Sequence, residues 1–592
     1  LVLSSMPEMS WAKHGIHRKG TPGFSQDARR AFAHHMVHGA RYLQRVRYGD
    51  RMEAKLREME KYVKGRNELT ESVKAQQVLD EVRQRHDVLM NPKTAPLAQA
   101  LTSFGFFFHL GLSPASALVN LTQTFLVGYP VIGSRFGMSK AVGAMGKAMN
   151  DVVAAKNDLT KSPALSAEEK KAIERAIHEG TIDVTLAHDA MGIAEGNDSK
   201  LGWKLKPVMR AAAWMFHHAE RFNRQATFLA AYRMARNSGL SLDKAFETAT
   251  EMTYESQFDY ASSNRPRAMQ GDVSRVITQF KQYVQNMLFL QGKAVAGSLK
   301  GDKRSMKLLA GMTVMHALAA GAMGMNPLVG PLMFLASVLG GDDDEPWDAK
   351  VALQNYLADA FGVGAADVMM HGVTRALPGE ISGRVGLNLN QMLFPDVNDG
   401  LNGADAYASF VTGMLGPVVG GVGGGIAKAF QLIGEGHWDR ALESLAPSVL
   451  RGPLKAARFA QEGVKAKDEV VIKDEVGVPS LMAQAAGFRP SEVARAQEGR
   501  GAIMELDRRL DQRRASLMDG FASAAMEGGD TSSAVAAIQK WNEAHPMRAI
   551  APMHLQQSIH RRALRVAQAQ QGVYLPVKNR DVLDIGRFAK EE

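Results

Sequence analysis

Three long stretches without a formal charge constrain this 592-residue chain more than any other feature of its sequence. They cover residues 94–134, 308–341 and 406–427. Because Asp, Glu, Lys and Arg together make up 22% of the chain, uncharged stretches of this length predict segments that lie out of water. A protein core and a lipid bilayer are the two environments that can hold such segments.

Two interpretations of the uncharged stretches are open. Each stretch is long enough for a tilted membrane span or a helical hairpin, and Gly321 and Gly324 belong to a small-residue surface of the kind through which membrane helices pack. A buried hairpin in a soluble core is the alternative, because Pro114 and Pro327 divide the first two stretches into helices of roughly 14 to 18 residues. A flexible hinge is a further interpretation of the glycine-rich third stretch.

In the membrane interpretation, residues of the first two stretches contact lipid or a neighbouring span. The candidate membrane-contact residues are Phe106, Phe107, Phe108, Leu118, Phe125, Leu318, Gly321, Leu328, Phe334 and Leu335.

The remainder of the chain has the pattern of helices and predicts an all-α fold. Met52, Leu56, Met59 and Val63 recur every three or four residues, which places them on one face of a helix. Aromatic residues are only 7% of the chain, whereas a β-sandwich or barrel favours aromatic and β-branched residues. The predicted helices cover residues 26–48, 51–90, 203–236, 242–254 and 274–295, and Ser113 is expected to cap a further helix that begins at Pro114.

We therefore expect an elongated, multi-domain, all-α protein with apolar helical hairpins. The predicted segments are charged N-terminal helices (1–92), an apolar hairpin (93–135), a central helical domain (136–304), a second apolar hairpin (305–345), a Gly-rich and helical linker region (346–477) and a C-terminal helical domain (478–592). The chain begins at Leu1 rather than at an initiator Met, which is typical of a piece of a longer polypeptide.

The residues that could support catalysis or metal binding lack companions. The chain has no cysteine, which excludes disulfides, Cys-ligated metals and a Cys nucleophile. His34, His35 and His38 share a predicted helix without a carboxylate to complete a metal site. Walker, dinucleotide-binding and nucleophile-elbow motifs are absent from the sequence. The sequence predicts no catalytic residue, no metal site and no cofactor.

Two segments that contain acidic residues have alternative interpretations. Glu255-Ser256 matches the acidic dipeptide of lytic transglycosylases, in which a carboxylic acid protonates a glycosidic oxygen, but the other motifs of those enzymes are missing. The run of carboxylates over residues 342–345 could bind a cation, although a solvated end to the second uncharged stretch explains it as well.

Positive charge is concentrated in two helical patches. The chain has 71 Lys plus Arg and 61 Asp plus Glu, a formal net charge of +10. Clustered cations neutralise nucleic-acid phosphates without reading the base sequence, whereas interleaved acids favour solvated helix faces. The candidate DNA-contact residues are Arg41, Arg45, Arg47, Arg508, Arg509, Arg513 and Arg514.

Seven segments, in order along the chain, resemble the large polyvalent (PLxRFG-type) virion proteins of tailed phages and the internal ejection proteins of short-tailed phages. The segments are SPASALVNLTQTF (113–125), ERFNRQATFLAAYR (220–233), FDYASSNRPRAMQ (258–270), ITQFKQYVQNM (277–287), PLKAARFAQEG (453–463), AAGFRPSEVARAQE (485–498) and IQKWNEAHPMRAIAPMHLQQSIHRR (538–562). In the fifth segment, three residues separate Leu454 from Arg458 where the naming motif has one.

This resemblance implies a homo-oligomeric protein of the virion interior that is delivered with the genome into the host cell envelope. Its partners would be other core or portal proteins, phage DNA bound without sequence preference, and the host inner membrane. The uncharged stretches would then help to form a conduit for the genome. A DNA-associated defence or packaging protein that is injected with the genome, and a wall-degrading transglycosylase component, are the alternative functions.

Overall fold

The computed structural model describes residues 28–65, 69–90, 96–183, 200–260, 264–266, 269–325, 349–385, 417–466 and 470–570. These residues are overwhelmingly helical, with four β segments of two or three residues each. The predicted all-α fold is therefore confirmed.

The helices of the N-terminal half are numbered in chain order. They are α1 (Ala28–Lys64), α2 (Leu69–Met90), α3 (Pro96–Leu110), α4 (Pro114–Leu121), α5 (Tyr129–Phe136), α6 (Met138–Ala154), α7 (Ala167–His178), α8 (Lys200–Asn237), α9 (Leu242–Gln257), α10 (Asp272–Ile277), α11 (Lys281–Leu299) and α12 (Lys303–Ala320). A π-helical turn (Thr124–Gly128) joins α4 to α5, and 3₁₀ turns lie at Leu159–Lys161 and Met323–Met325.

The C-terminal half continues the numbering. Its helices are α13 (Ala349–Phe361), α14 (Val363–His371), α15 (Ser382–Val385), α16 (Gly423–Gly434), α17 (Trp438–Leu445), α18 (Ser448–Glu462), α19 (Val478–Ala485), α20 (Ser491–Met526), α21 (Ser532–Ala544) and α22 (Pro552–Gln570). A π-helical turn (Pro417–Val422) precedes α16, and 3₁₀ turns lie at Val373–Ala376 and Pro546–Arg548. The strands are β1 (Gly379–Glu380), β2 (Val464–Lys465), β3 (Val471–Lys473) and β4 (Arg489–Pro490).

The chain divides into two compact units. The first unit comprises residues 1–328, 367–464 and 474–491, and the second comprises residues 329–366, 465–473 and 492–592. The finer division into six segments stays a prediction.

The core of the first unit forms around α8. This helix packs against α3, α4, α6 and α9, and Ala226, Phe228 and Leu229 in its second half are fully buried. Arg224 is also buried there, 1% exposed, and its guanidinium donates to the carbonyl oxygens of Thr181 (3.0 Å) and Phe258 (2.7 Å). Helix α8 therefore organises both apolar and polar contacts in this unit.

The core of the second unit is smaller. Trp541 of α21 is fully buried and packs with Leu517, Ile538 and Ile550. The indole Nε1 of Trp541 donates to the carbonyl oxygen of Arg548 at 3.3 Å. One aromatic anchor thus joins α20, α21 and the 3₁₀ turn that follows.

Two predicted helix ends are confirmed, the start of α4 at Pro114 and the end of α8 close to residue 236. The Ser113 hydroxyl accepts a hydrogen bond from the Ser116 backbone N–H at 3.3 Å, and Pro114 occupies the first turn of α4. Helix α8 ends at Asn237, and Gly239 has φ +88°, a conformation that glycine adopts without steric cost.

Two predicted helix boundaries are wrong. Residues 26–48 and 51–90 were expected as two helices with a break before Arg51, but α1 continues to Lys64 and α2 begins at Leu69. Helix α1 continues through Gly49, where a Cβ atom would lie 2.9 Å from Met90 Cε. Gly49 therefore allows α1 and α2 to pack closely and does not end the helix.

The helix predicted over residues 274–295 is also interrupted. Helix α10 ends at Ile277, and α11 begins at Lys281 after Phe280 adopts a left-handed backbone with φ +69°. Tertiary contacts explain the break, because the Gln279 side chain donates to the Thr102 carbonyl oxygen at 2.6 Å. The apolar spacing of this segment contains no signal for that contact.

Candidate functional site: a cationic cavity

A cavity in the first unit is lined by polar, aromatic and basic side chains together with aliphatic residues such as Leu110 and Leu126. Its volume is about 770 Å³, and its walls come from α3, α4, α11, α15, α18, α19, β4 and the chain around α10. Six lining side chains are cationic, and no aspartate or glutamate is among the lining residues that the structure describes. These cations are Arg265, Arg275, Arg384, Arg451, Lys455 and Arg489.

Neutral backbone groups hold two of the cations in place. Arg451 Nε donates to the Glu443 carbonyl oxygen at 3.1 Å, and its Nη2 donates to the Ala446 carbonyl oxygen at 3.0 Å. Arg384 Nη2 donates to the Gly487 carbonyl oxygen at 2.8 Å. Carbonyl oxygens orient a guanidinium without neutralising its charge, so both side chains contribute positive charge to the cavity.

The protein environment disfavours the charges of three cavity cations. Burial lowers the pKa values of Arg384 and Arg451. Burial also lowers the pKa of Lys455, and the neighbouring cations Arg458 and Arg489 lower it further against the opposing effect of a glutamate. Placing like charges in a partly desolvated site costs stability, and the Glu443 carboxylate offsets part of that cost for Arg451 and Lys455. Perturbed pKa values of this kind are common at functional sites.

A charged network lies behind Arg489. Strands β1 and β4 pair antiparallel, with Glu380 opposite Arg489, and Arg489 Nη1 lies 3.3 Å from Glu380 Oε1. Glu380 also pairs with the buried Arg375, whose Nε lies 3.1 Å from Asp367 Oδ1. This network fixes the position of Arg489 at the cavity wall, because each charged partner is itself held by a second ion pair.

Aromatic rings form the other part of the wall. The lining rings that are half-buried belong to Phe216, Phe280, Tyr283 and Phe488. Burial raises the pKa of Tyr283 to about 12 and raises the pKa of Tyr260 well above its usual value. Both phenols therefore stay protonated well above neutral pH, and the Tyr260 hydroxyl is hydrogen-bonded to Gln123.

Phe280 holds its ring in the wall at a conformational cost. A left-handed backbone is sterically unfavourable for a residue with a bulky side chain and costs about 1–3 kcal/mol. The Phe280 ring packs against the cluster of Phe106 and Ala213, and its centroid lies 6.4 Å from that of His109. Packing thus maintains a strained residue at the cavity, as is common at functional sites.

Five of the seven phage-like segments contribute lining residues to this one cavity. They are the segments over residues 113–125, 258–270, 277–287, 453–463 and 485–498. The sequence analysis named none of the six lining cations as a contact residue. The missing signal is tertiary, because residues from Thr102 to Arg489 meet only in the folded chain.

The candidate membrane-contact residues of the first stretch divide between core and surface. Phe106 (0% exposed) and Phe108 (5%) are buried in the protein, and Phe107 is half-buried. Leu118 and Phe125 are 49% and 45% exposed. Residues 114–136 form one helical stretch of 23 residues. An 18-residue window within it has a mean hydropathy of 1.2, and half of that window is buried. By length and composition it is the one stretch among the described residues that could cross a membrane.

The candidates of the second stretch have equally different positions. Leu318 is 51% exposed, whereas Gly321 is buried at a close crossing where a Cβ atom would lie 2.4 Å from the His371 backbone nitrogen. Leu328, Phe334 and Leu335 lie outside the described residues, as does the acidic run over residues 342–345.

The candidate DNA-contact residues engage neighbouring groups where their side chains are described. Arg508 and Arg509 both pair with Glu505, and Arg514 donates to the Arg548 carbonyl oxygen at 3.1 Å. Arg47 is exposed, and its guanidinium carbon lies 5.7 Å from the centre of the Tyr48 ring. The side chains of Arg41 and Arg45 are not among those that the structure describes. Arg513 interacts with another group of the chain.

The residues examined for catalysis and metal binding are placed as follows. Glu255 Oε2 lies 2.7 Å from Arg304 Nη2, and the Ser256 hydroxyl donates to the Met252 carbonyl oxygen at 2.7 Å. The side chains of His34, His35 and His38 are not described. Elsewhere in the described chain, no group of three or more His, Asp or Glu residues is arranged to hold a metal ion.

Comparisons with known proteins add no relative. No family model matches the chain, and neither a curated protein nor a solved structure matches it. The part of the chain that the structure describes is all-α and contains a cavity lined by cations and aromatic rings.

Proposed function

We propose that this chain is an internal virion protein of a tailed phage that travels with the genome and binds DNA phosphates without reading sequence. The observation that carries the proposal is that six cations line one cavity, of which Arg489 is paired with Glu380 behind the wall, while none of the described lining residues is a carboxylate. Such a site neutralises phosphates and releases their counterions, which supplies most of the free energy of sequence-independent binding.

The energetic character of the cavity supports this proposal. Burial lowers the pKa values of Arg451 and Lys455, so their charges are less favourable in the folded chain than in water. A phosphate group would supply the opposite charge and reverse that penalty. The convergence of five phage-like segments on this cavity gives further support, because the resemblance and the geometry then concern the same part of the chain.

A binding measurement with a charge-matched control tests the proposal. We expect the full chain to bind DNA with an affinity that falls steeply as salt increases. Arg451→Gln should weaken binding about 10- to 100-fold, because a charged hydrogen bond is lost. Arg57→Gln removes the same charge from an exposed position on α1 outside the cavity and should change affinity little. Salt-independent binding, or equal losses in the two variants, would contradict the proposal.

A role in a membrane conduit is the second candidate function. The apolar stretch over residues 114–136 favours it, because 23 residues suffice for a span and because Leu118 and Phe125 are exposed. In this proposal the protein forms a homo-oligomer, associates with other virion core or portal proteins and enters the host inner membrane during genome delivery. Leakage of dye from liposomes on addition of the protein, and its loss in a Leu118→Gln, Phe125→Gln double variant, would support this role; absence of leakage under every trigger would remove it.

A further inference from the structure

We infer that the cationic cavity holds a single unstacked nucleotide, with the phosphate at the basic wall and the base at the aromatic wall. The inference rests on the proposed function, because it names the part of the nucleic acid that enters the cavity. Two ligands could supply the nucleoside phosphate that enters the cavity. One is a free nucleotide, and the other is an unpaired position in a single strand.

The size of the cavity favours one nucleotide over a duplex. A volume of about 770 Å³ falls in the range of small-molecule sites, roughly 300–1,000 Å³. A base within a duplex is stacked between its neighbours and has to leave the stack before it can enter a pocket of this kind. A single strand presents such bases without that cost.

The basic wall provides a phosphate site with fixed geometry. Arg384 and Arg451 are held by carbonyl oxygens of Gly487, Glu443 and Ala446, so their orientation is set before a ligand arrives. Lys455 lies one helical turn after Arg451 on α18, and both side chains line the cavity. Two planar guanidinium groups with one flexible ammonium form a donor set that suits the several oxygens of a phosphate.

The aromatic wall provides the surface for the base. Phe216, Phe280 and Phe488 line the same cavity and are half-buried, so part of each side chain remains accessible. Stacking on aromatic rings tolerates every base, because every base has a π face. The strained backbone of Phe280 is consistent with a ring that is positioned for a ligand rather than for the core alone.

A buried polar atom in the lining also lacks a partner. The amide nitrogen Nδ2 of Asn120 is buried and makes no hydrogen bond within the described part of the chain, and Asn120 lines the cavity. An unsatisfied buried donor is costly and is rare in folded proteins. A ligand acceptor in the cavity would reach this nitrogen only after the Asn120 side chain turns toward the cavity, because the atom has almost no accessible surface.

The test compares three ligands at equal salt: a single-stranded oligonucleotide, the duplex of the same length, and a mononucleotide. We expect tighter binding of the single strand than of the duplex. Phe488→Leu and Phe280→Leu should each weaken single-strand binding about 5- to 100-fold, because stacking is lost. Duplex binding and the dependence on salt should stay unchanged. Phe430→Leu, at an exposed ring outside the lining, is the matched control and should leave all three affinities unchanged.

The outcomes separate this inference from the proposed function. Equal affinity for single strand and duplex, or aromatic variants that match Phe430→Leu, would overturn the inference and leave phosphate binding intact. Binding of the mononucleotide without binding of long DNA would overturn the proposed function and support the inference. Mononucleotide binding identifies a free nucleotide as a sufficient ligand, whereas binding of the oligonucleotide alone identifies an unpaired position in a strand. If Phe280→Leu fails to fold, as judged by circular dichroism and thermal melting, the inference is tested with Phe488→Leu alone.

Discussion

Arg224 donates a hydrogen bond of 2.7 Å to the carbonyl oxygen of Phe258. The donor lies in the middle of α8, and the acceptor residue follows α9 with a left-handed backbone at φ +58°. Arg224 also lies 3.4 Å from the Glu220 carboxylate, and both side chains are almost completely buried. The Arg224 guanidinium thus holds the chain at the end of α9 against α8, the helix around which the core of the first unit forms.

Removal of Arg224 should therefore destabilise the first unit strongly. Arg224→Ala is expected to lower the free energy of unfolding by about 3–5 kcal/mol, because Glu220 is left as a buried charge without its cation. Arg57→Ala at an exposed position should change it by less than about 0.5 kcal/mol. Urea denaturation followed by circular dichroism measures both variants, and a loss below about 1 kcal/mol for Arg224→Ala would contradict the assigned role.

Gly372 should not tolerate a side chain. Its φ is +88°, and a Cβ atom would lie 2.2 Å from the Ala319 carbonyl oxygen. Gly372→Ala is therefore expected to destabilise the first unit by about 1–3 kcal/mol. Gly146→Ala on α6, where a Cβ atom meets nothing within 4 Å, should be neutral or stabilising by up to about 1 kcal/mol. Thermal melting of the two variants checks the difference, and equal melting temperatures would show that the crossing is looser than described.

Neutralising Lys455 should stabilise the protein and weaken its binding to phosphate. Since the folded pKa of Lys455 is lowered, its charged form is less favourable in the folded chain than in the unfolded chain. Lys455→Met is expected to raise the melting temperature at pH 7 while lowering affinity for single-stranded DNA about 10- to 100-fold. Lys147→Met, at an exposed position on α6, should do neither. A Lys455→Met protein that melts at a lower temperature than the parent would show that this ammonium stabilises the fold.

The effect of Lys455 on stability should depend on pH, because its pKa differs between the folded and the unfolded chain. Between the lowered folded pKa of Lys455 and the unfolded value near 10.4, the unfolded chain binds the extra proton, so stability rises with pH. The advantage of Lys455→Met should accordingly be full below the folded pKa and vanish above about pH 10.4. Melting curves of parent and variant across this range measure the difference, in which other titrating groups cancel. A difference that does not change with pH would contradict the assignment.

Phosphate binding should show the complementary trend. As pH rises through the lowered pKa of Lys455, the amine loses its charge and affinity for single-stranded DNA is expected to fall. Lys455→Arg keeps its charge throughout this range and should remove the fall. Fluorescence anisotropy at constant ionic strength measures both proteins, and parallel pH profiles would place the titrating group elsewhere.

Local patterns predicted the helical fold and several helix ends, whereas the cavity depended on tertiary contacts. Ser113 and Gly239 show the first case, because capping and left-handed glycine are properties of a few neighbouring residues. Phe280 shows the second case. The apolar spacing around it continues a helix, and the bond from Gln279 to Thr102 that accompanies the break joins positions far apart in the chain. The cavity cations were missed for the same reason, since Arg384 lies far in the sequence from Arg451 and Lys455 and the three line one cavity only in the fold.

The cavity wall begins at Thr102 and is completed only by Arg489. During synthesis, the ribosome must therefore have released β4 before this site can close. A fragment that ends within α18 would present Arg451 and Lys455 without Phe488 and Arg489, an exposed set of cations rather than a cavity. Translation thus produces most of the chain before the last residues of the cavity wall are available.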